Sequence, residues 1–370
     1  MPMAHIARSG RTIRPLLLCL CFLLASAQGA CAENAASTGS SEWIFIPFPI
    51  YTPETGAAMT LCAIGTFRGP QQSAASSFLI ALAYSEKEQL SLEFNPSISF
   101  GSTVRTSARV AFEDWPDEFF GLGNDTRRGD REHFASRNTV ARIELQHSLG
   151  NDFWMGPIID WKRYRIRDTE EGGLLETHLP DGIDGGTLAG LGIAVSHDTR
   201  DDTFFPFAGH FIQINAVRYT QQLGSDYSFA RTTLDSRQYI AVGGRHVLAL
   251  HQYASINRGT VPFQELSMLG DSSPALMRGY YSGRFRDRDM AVLQAEYRVP
   301  LPPGPWALAF FAGTGAVGRN LGELASEDLK WSGGAGLRYR ASRTEAVNLR
   351  LDLARAEDSS GIYFNVFEAF

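Results

Sequence analysis

From Trp43 to the last residue, apolar and polar positions alternate with a period of two, in segments of about ten residues. "TVARIELQHSL" sets Ala141, Ile143 and Leu145 against Arg142, Glu144 and Gln146. "AVLQAEYRVPL" sets Leu293, Ala295, Tyr297 and Val299 against Gln294, Glu296 and Arg298. "NLRLDLARA" sets Leu349, Leu351 and Leu353 against Asn348, Arg350 and Asp352, and "GLRYRAS" repeats the pattern with Leu337 and Tyr339. One such strand would suit a soluble sandwich. The whole set, with a charged polar face and no helical pattern or long apolar core segment, has the signature of a transmembrane barrel.

The segments fall near 43–50, 57–68, 74–86, 88–99, 101–113, 135–149, 152–167, 185–199, 206–221, 227–241, 244–258, 289–299, 305–318, 330–340, 345–355 and 361–370. The fold class is therefore all-β, a transmembrane antiparallel β-barrel of about sixteen strands. Long connections (Asp114–Phe134, Asp168–Asp184, Gly259–Arg288, Arg319–Leu329) follow odd strands, whereas links such as Gly150-Asn151 and Val242-Gly243 are short. One end thus carries turns and the other loops, and the even count brings both chain ends to the turn side. Pro47 and Pro49 in the first segment suit only an edge or a loose seam.

The first residues change the picture. Arg8, Arg11 and Arg14 precede an apolar run from Leu16 to Ala27, then Ala30-Cys31-Ala32 offers a small-x-small cleavage site. This reads as a secretory signal peptide over 1–32, a linker over 33–41 and a barrel over 42–370. Gln28 stands where a lipoprotein signal wants an aliphatic residue, which argues against acylation at Cys31. Only Cys62 of the four cysteines then remains, so stability comes from burial and backbone pairing. Losing three of 34 basic residues and none of 40 acidic ones leaves a net charge of −9, which excludes a nucleic-acid binder. Beyond the signal no run of about 18 apolar residues occurs.

Other chemistry is thin. His197 and Asp198 with Arg200, Asp201 and Asp202 resemble a metal or acid–base cluster, but between two strands they read better as a turn. His147, Ser148 and Asp152 hint at a hydrolase triad, which needs a geometry that sequence does not supply. Trp43, Trp115, Trp154, Trp161, Tyr164, Trp306 and Trp331 lie near strand ends or in loops, as a membrane-interface girdle would. The expectation is a protein that is not an enzyme and takes no cofactor or metal.

The stretch before the twelfth strand, "MRGYYSGRFRD", is unusual in its arginines, glycines and aromatics. It resembles the Arg-Gly-aromatic loop of the BamA/TamA superfamily of outer-membrane assembly factors and two-partner secretion transporters, here of the bacterial surface antigen type. "SHDTRDDTFFPFAGHF" resembles that family's turn motif through Asp198, Arg200, Asp201, Pro206 and Gly209. "PIYTPETG" and "FFGLGNDT" resemble the opening and first long loop of its smaller members. A terminal aromatic strand, with Ile362, Phe364, Val366 and Phe370 on one face, is similar to the family's assembly signal, although Glu368 interrupts it. The resemblance spans almost all of Pro49–Phe370. There are two departures: the short stretch ahead of the first strand cannot encode a POTRA domain, and Gly313 stands where the family often has an aspartate.

The resemblance implies a sixth extracellular loop folded into the lumen with Arg278, Gly279 and Tyr280 at its tip. An arginine suits this role because its planar fork bonds a carboxylate bidentately and stacks on an aromatic. The lumen-side strand faces offer Glu296, favoured, and Asp352; Gly279 would allow close approach to the wall and Tyr280 would cover the guanidinium. The implied role lies in protein assembly, insertion or translocation at the bacterial outer membrane, the alternative being a passive plugged channel or structural barrel. The implied partners are outer-membrane lipids, other barrel proteins or a periplasmic protein supplying a POTRA-like function, and no nucleic acid.

Overall fold

Strict alternation makes each strand amphipathic, and a sheet of such strands in a membrane has no unpaired edge only when it closes. The computed structural model describes residues 42–67, 76–178, 180–203, 205–271, 275–340, 348–366 and 368–370. The expected signal peptide and linker lie outside them. The wall begins with β1 (Glu42–Thr52), β2 (Gly56–Phe67), β3 (Ser76–Ser85), β4 (Leu90–Phe100), β5 (Val104–Phe119), β6 (Glu132–Gly150), β7 (Phe153–Thr169) and β8 (Gly186–Asp198). It continues through β9 (Gly209–Tyr219), β10 (Phe229–Ala241) and β11 (Val247–Gly259). Three short strands, β12 (Ser267–Asp271), β13 (Ala275–Leu276) and β14 (Phe285–Asp287), form a small separate sheet inside the next connection. β15 (Asp289–Leu301), β16 (Trp306–Gly318), β17 (Lys330–Arg340), β18 (Asn348–Ala356) and β19 (Ser360–Val366) complete a closed antiparallel barrel of sixteen strands.

The expected faces hold. Leu293, Leu351, Leu353, Ile143 and Leu145 are exposed on the outside, while Gln294, Glu296, Arg298, Arg350 and Asp352 are buried within. β5, β6 and β7 run further than the alternation showed, pairing as far as Phe119–Glu132 and Phe134–Thr169. Their outer ends carry Asp114, Asp117, Glu118 and His133, polar on both faces because the strands stand clear of the apolar belt, and so they read as loop.

The seam is the weak place. β1 pairs with β2 along its whole length but, among the described residues, with β19 at one position, Tyr51 with Phe364. Residues two apart direct their N–H groups to the same edge. Pro47 and Pro49 therefore remove two donors from one edge of β1, and continuous pairing with β2 leaves the seam edge as the fitting one.

Three of the seven expected girdle aromatics do not face the membrane. Trp115 and Tyr164 line lumen cavities, and Trp154 lies beneath the Arg105 guanidinium at 4.4 Å. Trp43, Trp306 and Trp331 are exposed on the outer face. Position near a strand end fixes height, whereas parity fixes the face. The end of the chain also departs from expectation. β19 stops at Val366, and Phe370 is buried inside, packed with Tyr239, Val247 and Ala249 and tilted against the His251 ring. It is not part of a terminal outer face. Glu368 follows it inward, where arginines receive it.

A seam joined at one pair should open more often than the rest of the wall. In hydrogen exchange read by mass spectrometry, amides of 42–52 and 360–366 are expected to exchange faster than those of 229–241. Equal protection would contradict the seam.

Candidate functional site

The long connection from Gly259 to Asp289 enters the barrel. Its central residues Leu269, Leu276, Met277, Tyr280 and Phe285 form a buried apolar cluster with Met290, Val292, Val317 and Ala356 of the wall. At its tip Arg278 is 1% exposed. Its Nη2 donates to Glu296 at 2.7 Å and its Nη1 to Asp352 at 2.5 Å, so the loop arginine bridges β15 and β18. Both candidate acids therefore meet it. The guanidinium lies over the Phe311 ring at 3.6 Å. Phe311 is the cover, not Tyr280, which packs edge-on against Phe285. The reason is direction: Tyr280 turns away into the loop's own apolar cluster, while Phe311 projects inward from β16 beneath the arginine.

Gly279 presses against the β18–β19 hairpin. At φ +114° its backbone suits glycine, and a Cβ there would come within 3.0 Å of the Arg355 carbonyl carbon. Its N–H donates to Tyr363 Oη at 2.8 Å, and Ser359 Oγ donates to its carbonyl at 2.7 Å. The preceding Met277 is held at φ +64°, a strained conformation for a side-chain-bearing residue. Gln294 holds it there by accepting the Met277 N–H at 2.9 Å. Met277 also accounts for Gly313. A Cβ at 313 would lie 2.9 Å from the Met277 sulfur and from Gln294 Cγ, so an aspartate there would have to displace these side chains, and Arg278 meets Asp352 instead.

Neither acid serves Arg278 alone. Glu296 also accepts from Arg298 at 2.9 Å and Arg338 at 3.2 Å. Asp352 accepts from Arg338 at 2.5 Å and lies 3.5 Å from Arg350. Arg338 and Arg298 reach onward to Glu368 at 2.9 and 3.8 Å, and Arg298 donates to the Phe370 carbonyl at 3.0 Å. The loop tip and the inward-turned end of the chain thus share one buried network.

A second anchor of opposite polarity was not evident in the sequence. Glu265, in the loop, accepts from Lys162 at 2.9 Å and Arg231 at 2.6 Å, and is bonded by Tyr164. Burial would raise its pKa, but Lys162 and Arg231 outweigh this and hold it at about 2. Arg284 bonds Asp358 at 2.6 Å and the Thr126 carbonyl at 2.9 Å, and Arg286 donates to the Phe263 carbonyl at 3.2 Å. Arg288 stays exposed. The sequence showed charged inward faces but not which partners they meet, because that depends on registers across several strands.

The turn residues form a separate site at the opposite end. Asp198 receives Arg200 bidentately at 2.9 and 2.8 Å, with the guanidinium 4.7 Å over Phe211. Asp201 accepts the N–H groups of Phe207 and Ala208, Pro206 is buried, and Gly209 has φ +97°. These are bonds within a turn. Among the described residues no group of three or more His, Cys, Asp or Glu side chains is placed to hold a metal ion. His147 points out of the barrel, away from the lumen.

An Omp85 superfamily domain matches residues 74–370. No curated protein sequence matches the chain. Among solved structures, BamA from Haemophilus ducreyi lacking POTRA domains 1–3 is 14% identical with a TM-score of 0.60, covering 90% of this chain and 70% of that one. CdiB from Acinetobacter baumannii is 11% identical (TM-score 0.58), covering 90% of this chain and 60% of that one. CdiB from Escherichia coli is 15% identical (TM-score 0.58), covering 91% and 63%. The chain spans less than two thirds of either CdiB.

Truncating Arg278 removes one partner of two buried carboxylates, a change that typically costs ~3–5 kcal/mol. Glu296 and Asp352 keep other arginines, so the lower end, about 3 kcal/mol, is expected. In limited proteolysis the Arg278→Ala loop should become cleavable, and Arg278→Lys should restore little, since an ammonium cannot make the fork. Unchanged resistance would show that the arginine does not hold the loop. For Glu265 a depressed pKa means stability present above the unfolded value of about 4.3 and lost as pH falls towards the folded one. Loop cleavage should therefore rise between about pH 4.3 and 2, and Glu265→Gln should remove that component of the pH dependence.

Proposed function

Because this chain belongs to the Omp85 superfamily and is an outer-membrane β-barrel, we propose that it acts in the assembly or insertion of other outer-membrane proteins. The observation that carries the reading is the seam. A strand that, among the described residues, pairs with β19 only at Tyr51 presents backbone donors and acceptors that an incoming strand can engage. The loop supports the same reading. Anchored at Arg278 and at Glu265 on different parts of the wall, it occupies part of the lumen and leaves the seam as the place where the barrel can open. Outer-membrane lipids and client barrels are the proposed partners, with a periplasmic protein bringing clients to the seam. Assembly at a seam uses no cofactor and makes or breaks no covalent bond.

The test is the folding rate of a urea-denatured client barrel in liposomes. Acceleration is expected with the unaltered protein and not with a form whose seam is closed by a disulfide between Tyr51→Cys and Phe364→Cys. Equal acceleration by the locked form would reject strand capture at the seam. No acceleration by either would reject the assembly reading and leave a passive plugged barrel.

A further inference from the structure

The inner faces of β1, β2 and β3 differ from the rest of the wall. Register fixes which side chains share them. Ile46 pairs with Cys62 and Cys62 with Ala81; Phe48 pairs with Thr60 and Thr60 with Ala83; Ile64 pairs with Leu79. Ala81 pairs in turn with Glu93, which meets Arg109 on the lumen side, so the whole set faces inward. On these strands the inward residues Ile46, Phe48, Ile50, Thr60, Cys62, Ile64, Leu79, Ala81 and Ala83 are all uncharged.

Elsewhere a largely uncharged inner face is covered. On β8, Leu188 and Ala194 are fully buried in a cluster with Phe263 of the loop. On β16, Phe311 lies under Arg278, while Gly313 and Gly315 abut Met277 and Leu269. Ile46, Phe48, Ile50, Ile64 and Leu79 belong to neither cluster and stay half-buried. Apolar side chains facing a polar lumen are unfavourable unless something apolar lies on them.

The apolar material at hand is the bilayer. β1 is the seam strand, and its outer face presents Trp43, Phe45 and Tyr51, all exposed where the barrel meets lipid. Its inner face presents Ile46, Phe48 and Ile50. Among the described residues the Tyr51–Phe364 pair is the one strand pairing that closes this seam. We propose that acyl chains of membrane lipids pass through the β1–β19 seam and lie in the lumen on the inner faces of β1, β2 and β3. An acyl chain moving round β1 keeps apolar contact on both sides of the strand. This adds a lipid-binding site to the barrel and needs only that the seam opens, not that the protein assembles others.

The test uses the full chain carrying Cys62→Ala, in liposomes of phosphatidylethanolamine doped with a phospholipid bearing a diazirine in its acyl chain. No client protein is present, so no peptide segment can account for the contacts. After illumination, adducts are located residue by residue by fragmentation. Adducts are expected on inward Phe48, Ile64 and Leu79 as well as on outward Leu61 and Leu82. Closing the seam with Tyr51→Cys and Phe364→Cys should abolish the inward adducts and leave the outward ones. Phe48→Glu, with folding verified by heat-modifiable migration, should likewise lose only the inward set. Adducts confined to outward residues, or inward adducts that persist in the closed form, would overturn the proposal.

Discussion

The structure depends on one buried network of arginines and carboxylates. A barrel of this strand number encloses a polar interior too wide for its own side chains to fill. Its apolar side chains are largely committed to the lipid face, so the inside is held together by charge. Arg278 from the loop joins Arg298, Arg338 and Arg350 of the wall around Glu296, Asp352 and Glu368. Each carboxylate removed from water has more than one guanidinium within reach. Such an arrangement favours one loop position over others more than it adds raw stability, since desolvation offsets much of the Coulombic gain.

The network also ties together two regions that sequence treats as separate. The loop tip leans on β15, β16 and β18. The last residues turn inward from β19, the strand at the seam, and end on Arg298 and Arg338, which bond the same two carboxylates as Arg278. The position of the loop and the course of the seam strand therefore share buried bonds. A change that frees one should be felt at the other, because neither set of charges can be left unpaired in a low-dielectric interior.

Much of this was legible from residues alone. Alternation gave the strand faces, the parity of long and short connections gave the two ends, and the count of sixteen stands. Arg278 was singled out through the family resemblance of its loop, and Glu296 and Asp352 as carboxylates on the lumen-side strand faces. What remained hidden depends on contacts between distant strands. Phe311 is one of several inward aromatics until the loop is placed over it. Glu265 looks like an ordinary loop acid until Lys162, Tyr164 and Arg231 are seen to converge on it. Phe370 alternates correctly with Ile362, yet the strand ends before reaching it. Trp115, Trp154 and Tyr164 were assigned by height along the strand, and only parity could have shown that they face the lumen.

The most direct test of the loop as a lock is electrical. Single proteins would be inserted in planar bilayers and their conductance recorded for the unaltered chain and for Arg278→Ala. With the lock in place, the unaltered protein should hold a closed baseline and the variant should show sustained, large openings as the loop leaves the lumen. Indistinguishable traces, whether both closed or both open, would mean that Arg278 does not keep the lumen shut, and the arrangement described here would lose its central support.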